Sequence, residues 1–151
     1  MPTHYKGTKE EKRALNTYIK LIRAADTITG RLNELKTLDD LSMSQFGTLE
    51  SLYHLGPMYQ KDICQKILKS SGNITMVLDN LEKKGLVTRE RDKTDRRYIR
   101  IVLTDKGREK IEKILPPHVR AIVEMMNNLT PKEQMELGRL TKKLGKTVQE
   151  S

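Results

Sequence analysis

Between positions 70 and 100 the chain gathers side chains that hydrogen-bond and carry charge, in a pattern suited to gripping a polyanion rather than to breaking a bond. Ser70, Ser71, Asn73, Thr75, Met76, Asn80, Lys83 and Lys84 fall outside a stripe formed by Ile74, Val77, Leu78 and Leu81. Asn can bond adenine bidentately, Ser and Thr reach bases or phosphates, and Met can touch a thymine methyl. An ordinary polar helix face would look the same in isolation. A second cluster follows. Lys93, Arg96 and Arg97 project from the polar turn Asp92-Lys93-Thr94-Asp95-Arg96-Arg97, with Asp95 within reach of both arginines and with Arg89, Arg91 and Arg100 flanking it as backbone contacts. An arginine held by a carboxylate loses less entropy on entering a narrow, strongly negative minor groove. The plainer alternative is a solvated turn whose surface ion pairs are worth little.

Catalytic arrangements are missing. No Ser-His-Asp order, Gly-rich phosphate loop or HExxH motif occurs, and His4, His54 and His118 are far apart. Neither an enzyme, a cofactor nor a metal site is expected. The single cysteine, Cys64, rules out an intrachain disulfide framework. It reads as a redox or electrophile sensor or as a small buried hydrophobe. With only Lys61 and Lys66 as basic neighbours in the sequence, nothing favours the reactive reading.

The elements that position these groups are mostly helical. Thr8 and Glu11 form a capping box ahead of a long helix over about 9–36, striped by Leu15, Tyr18, Ile19, Ile22, Ala25, Ile28, Leu32 and Leu35. Such a helix is ~42 Å long, more than a small domain can cover, and a second copy of the chain is the simplest cover, a monomeric helical core being the alternative. Three short helices follow. The first is capped by Ser44 and ended by Gly56-Pro57; the second covers about 60–68, with Ile63, Ile67 and Leu68 inward. After a break at Lys69-Ser70-Ser71-Gly72, the third covers about 73–84 and is stopped by Gly85. Two short helices joined by a glycine-containing turn fit a helix-turn-helix. Leu86 to Arg91 and the alternating Tyr98 to Thr104 then make a β-hairpin, which in that place is a wing. Thr104 caps a further helix that Pro116-Pro117 should kink or interrupt. Thr130-Pro131-Lys132-Glu133 opens the last one, striped by Leu137, Leu140, Leu144 and Val148.

Charge follows the same map. The 151 residues carry a net +9, but residues 83–110 alone carry +6 and residues 37–82 carry −3. Clustered cations suit phosphate contact, because counterion release rewards them. Few aromatic residues, one Phe and no Trp, argue against stacking on single strands. The start of the chain has no apolar stretch that a secretory signal needs, and no run of 18 apolar residues exists, so a cytoplasmic protein without membrane contact is expected.

On these motifs the chain resembles the MarR family of winged-helix regulators. The resemblance rests on Ser70-Ser71-Gly72-Asn73-Ile74-Thr75, on Leu81-Glu82-Lys83-Lys84-Gly85-Leu86-Val87, and on Asp95-Arg96-Arg97 followed by Leu103-Thr104-Asp105-Lys106-Gly107; Leu52-Tyr53-His54-Leu55-Gly56-Pro57 also fits. It implies a homodimer knitted by helices at about 8–36 and 105–148, with Asp95 orienting Arg97 in the minor groove and the helix near Ser71–Asn80 in the major groove. It further implies pseudo-palindromic duplex operators and repression relieved by a small molecule or oxidant. Oxidant-sensing members commonly carry a cysteine near the N-terminus, and this chain has none there.

The expected architecture is therefore mainly α with a small β-hairpin wing: one domain over 1–151, with a winged helix-turn-helix at about 41–104 between dimerisation helices. The expected function is a sequence-specific regulator whose effector remains unassigned. A sequence-nonspecific architectural nucleic-acid binder and a winged helix used only for protein contacts are the alternatives.

Overall fold

A computed structural model describes residues 2–67 and 71–149. The chain divides into two compact units, a central one over residues 36–118 and a terminal one made of residues 1–35 and 119–151. The expected Leu68 and the break at Lys69-Ser70 lie outside the described residues, as does the side chain of Val148.

In the central unit α2 (Met43–Leu55) is capped by Ser42, not by Ser44 as the sequence predicts. The reason is the residue three places on. Gln45 returns its side-chain oxygen to the Ser42 N–H at 3.1 Å while its own N–H donates to the Ser42 hydroxyl at 3.1 Å. Three residues after Ser44 stands Gly47, with no side chain to close such a box. Next come β1 (Met58–Tyr59), α3 (Gln60–Lys66) and α4 (Ser71–Lys83), so Ser71 and Gly72 belong to the helix and not to the break before it. β2 (Val87–Arg91) and β3 (Ile99–Leu103) form the hairpin. The sheet has three strands rather than two, in the order β1-β3-β2 and all antiparallel, with Met58 opposite Ile101 and Val87 opposite Leu103.

One cluster fills this unit. Leu49, Leu52, Ile63, Ile74, Leu78, Leu81, Ile101 and Ile111 are buried together, with Cys64 half-buried against them. α4 ends in a left-handed turn. Gly85 has φ of 74°, the Leu86 N–H donates to Leu81 O at 3.0 Å and the Gly85 N–H to Glu82 O at 2.9 Å, the paired bonds of a Schellman stop. Thr104 caps α5 (Asp105–Met126) as expected, its hydroxyl accepting the Gly107 N–H at 3.0 Å. α5 is not interrupted at Pro116 and Pro117. The carbonyls that lose amide donors there belong to Glu112 and Lys113, which are exposed, so water can take the donors' place.

The terminal unit contains α1 (Lys9–Leu35), the last part of α5, and α6 (Pro131–Gln149). Both expected capping boxes form, Thr8 with Glu11 and Thr130 with Glu133. Leu32 and Ala121 are its buried hydrophobics among the described residues, whereas Tyr18, Leu137, Leu140 and Leu144 are exposed. No helix among the described residues is long and apolar enough to cross a membrane.

His118 is buried in the central unit. Its Nδ1 lies 3.0 Å from the Thr37 hydroxyl and its ring 4.7 Å from that of Phe46. Burial pushes its pKa below the ordinary 6.5, with Glu50 opposing weakly. The unfolded chain therefore takes up a proton as pH falls through 6.5 that the folded chain resists, so stability is full above 6.5 and is lost below it. The thermal midpoint should fall between about pH 7.5 and about pH 5.5, and less steeply in His118→Gln. Equal slopes in calorimetry would refute this role.

Candidate nucleic-acid interface

α4 buries one face and shows the other. Ile74, Leu78 and Leu81 are at most 1% exposed, and Val77 is half-buried against the same core. Asn73, Thr75, Met76, Asn80 and Lys83 all stand on the exposed side, and Met76 is 65% exposed. Thr75 accepts a bond from Gln60 Nε2 at 3.3 Å. The side chain of Ser71 and the whole of Ser70 lie outside the described residues. A helix fixed on its core by large aliphatic side chains presents its polar side as a rigid surface, which groove reading requires.

Two cations that the sequence places at the interface face inward instead. Lys84 donates to Asp40 Oδ2 at 3.1 Å and to Asp40 O at 3.2 Å. The Lys106 ammonium in turn donates to Lys84 O at 2.9 Å. Arg89 is a strut and not an outward backbone contact: its side chain is 21% exposed, pairs with Asp79 and lies 3.5 Å from Glu82. It thereby ties β2 to α4. Lys110 likewise pairs with Asp39 and, at 3.1 Å, with Asp40. The Asp39-Asp40 pair thus anchors the loop ahead of α2 to α4 and α5. Together Lys110 and Lys84 hold the Asp40 carboxyl below its ordinary range.

These pairs redistribute the charge. Asp39, Asp40, Asp79 and Glu82, which make residues 37–82 acidic, are engaged by Lys84, Arg89 and Lys110 from the basic segment. Lys83, Lys93, Arg96, Arg97 and Arg100 stay exposed. The positive potential is therefore narrower than the sequence count implies, and it centres on the hairpin.

The hairpin tip is ordered by its own side chains. Arg91 Nη1 donates to Arg96 O at 2.9 Å, and the Thr94 hydroxyl donates to Asp92 Oδ2 at 2.8 Å. Asp95 takes Arg97 and not Arg96. It accepts the Arg97 backbone N–H at 3.1 Å, Nε at 3.0 Å and Nη2 at 2.7 Å. Arg97 nevertheless keeps a side chain that is 84% exposed. Hydrogen bonds from the Arg97 guanidinium, and then from its backbone N–H, hold the Asp95 carboxyl below its usual value. This arrangement aims a planar, permanently charged fork into solvent without leaving it floppy.

Known proteins share this fold. A family model described as MarR family matches residues 41–99. An uncharacterized HTH-type transcriptional regulator of Bacillus subtilis, YkoM, is 36% identical over 137 residues, covering 91% of this chain and 89% of the relative. The solved structure of Sco3205 from Streptomyces coelicolor, a MarR family transcriptional regulator in complex with DNA, superposes with a TM-score of 0.85 at 23% identity, over 97% of this chain and 92% of that one. The organohalide-sensing regulator RdhR, solved in its 2,4-dichlorophenol-bound form, gives a TM-score of 0.77 at 23% identity over 95% and 88%.

Asp95→Asn removes the charge and weakens the fork without touching the core. Exchange of the Arg97 Nε proton, followed by NMR, should speed up while the thermal midpoint stays unchanged. Unaltered exchange would show that Asp95 does not hold the guanidinium.

Proposed function

The chain belongs to the MarR family of transcriptional regulators, and from that premise we propose a homodimeric repressor that binds a pseudo-palindromic operator and releases it on binding a small molecule. In this reading α4 enters the major groove and Arg97 enters the flanking minor groove. The observation that carries it is the pairing in one unit of a polar helix face on a rigid core with an exposed arginine aimed by Asp95. Asn73, Thr75, Met76 and Asn80 are the base readers. Lys83, Arg91, Lys93, Arg96 and Arg100 grip the backbone. Residues 41–104 are assigned to the DNA-binding part, and the helices over about 8–36 and 105–148 to dimerisation, within one MarR-like domain.

The uncovered apolar side chains Tyr18, Leu137, Leu140 and Leu144 support the dimer. Exposed patches of this kind mark association surfaces, and two-fold symmetry would set two α4 helices about one helical turn of DNA apart. A dimer spanning such a site blocks other proteins from it, which gives the repressive sense. Work on the chromosome puts the protein in the cytoplasm, and no catalytic role is assigned. RdhR with its bound dichlorophenol supports a small-molecule effector. Any effector acts only through different affinities for the bound and released conformations.

Two substitutions separate reading from gripping. Arg97→Ala should cost about 1–3 kcal/mol of affinity for a duplex with A·T-rich flanks, measured by fluorescence anisotropy at fixed salt, with no change in fold. Undiminished affinity would remove the wing from the interface. Asn73→Ala should cost about 1–3 kcal/mol on the preferred sequence and little on random duplex. A uniform loss on both would make Asn73 a phosphate contact, as an architectural binder would use it.

A further inference from the structure

A carboxylate can aim a guanidinium only if the backbone beneath that guanidinium is itself held. Arg97 stands where the hairpin tip meets β3, and the next residue, Tyr98, is fastened there by both of its backbone groups. Its N–H donates to Asp95 O at 3.1 Å, and its carbonyl accepts the Asp92 N–H at 2.9 Å. The side chain makes a second attachment, to α3 and β1. The Lys61 ammonium sits 4.5 Å from the centre of the Tyr98 ring, and the Tyr59 ring lies 5.7 Å away at an interplanar angle of 51°. Tyr59 is itself in the sheet, opposite Arg100. Beside this cluster lies an open cavity of about 280 Å³, bounded by Tyr59, Lys61, Cys64, Ile74, Arg97 and Tyr98. Across that opening the ring of Tyr98 bridges the hairpin tip to α3.

We propose that Tyr98 is a positioning residue for the minor-groove arginine. Clasped by Lys61 and Tyr59, the ring fixes the base of the hairpin tip on the helix-turn-helix, so that Arg97 meets the duplex in a set register with α4. The inference rests on the wing reading above and adds a specificity role to it. Minor-groove width varies with sequence, and an arginine rewards a narrow groove only when it arrives at one depth. A tip released from α3 samples several depths and loses that discrimination. Cation–π and tilted aromatic contacts supply the restraint through the ring alone, so the phenol hydroxyl has no part in it.

The test uses the full-length protein and two duplexes that share one core bound by the wild type and differ only in A-tract or G·C-rich flanks. Tyr98→Ala should bind the A-tract duplex about fivefold to tenfold more weakly, with the preference between the two duplexes flattened. Tyr98→Phe should bind as the wild type does. In an Arg97→Ala background Tyr98→Ala should cause no further loss. A loss of equal size in both backgrounds, a Tyr98→Phe as weak as Tyr98→Ala, or no loss at all would overturn the proposal. If Tyr98→Ala lowers the thermal midpoint, Lys61→Met takes its place, with the same dependence on Arg97 expected and its absence equally damaging. Full affinity in Arg97→Ala alone would instead sink the wing reading underneath.

Discussion

The polar side of α4 is available to a partner because its other side is locked into the core. Ile74, Leu78 and Leu81 are at most 1% exposed and share one cluster with Leu49, Leu52, Ile63, Ile101 and Ile111, drawn from four other elements. Large-to-small changes at such sites typically cost about 2–5 kcal/mol, so the orientation of α4 is strongly determined. Its C-terminal end is determined as well. The left-handed Gly85 stops the helix, Lys106 donates to the Lys84 carbonyl just past its end, and Lys84 ties it to Asp40. What remains facing outward is then a surface of set geometry, and its chemistry can be read residue by residue.

Charge works on top of that frame in two separate ways. Lys84, Arg89 and Lys110 serve the fold: they neutralise Asp39, Asp40, Asp79 and Glu82 and join α4, β2, α5 and the loop before α2. Partly exposed pairs of this kind add little stability each, but they set where neighbouring elements lie. The exposed cations serve the outside, and they concentrate on the hairpin. Asp95 belongs to both groups, since its carboxylate reduces the net charge of the tip while directing an arginine whose side chain is 84% exposed.

Much of this was legible in the residues because it is local. The Thr8–Glu11 and Thr130–Glu133 boxes, the alternation through Ile99, Ile101 and Leu103, the Gly85 stop and the Asp95–Arg97 pair all involve partners a few positions apart. Most misses involve partners far apart or elements too short to show a period, although the cap of α2 on Ser42 and not Ser44 is a local one. β1 has two residues, and only its pairing with Ile101 and Arg100 makes it a strand. Lys84 and Asp40 are 44 positions apart, and Arg89 looked like any other exposed arginine until Asp79 and Glu82 were placed beside it. Pro116 and Pro117 read as a kink or an interruption, and of these the interruption does not occur, because solvent-facing carbonyls allow the helix to continue.

The terminal unit has the opposite economy of burial. Leu32 and Ala121 are inside, while Tyr18, Leu137, Leu140 and Leu144 are exposed on helices whose sequence stripes call for cover. A dimer covering them would present two copies of the α4 and hairpin surface under one two-fold axis, and that symmetry must appear in the DNA it prefers. Selection of bound duplexes from a fully randomised pool by the full-length protein tests this most directly. The expected result is an inverted repeat with half-sites about one helical turn apart. Recovery of no repeat, with the same affinity for every duplex at fixed salt, would contradict it.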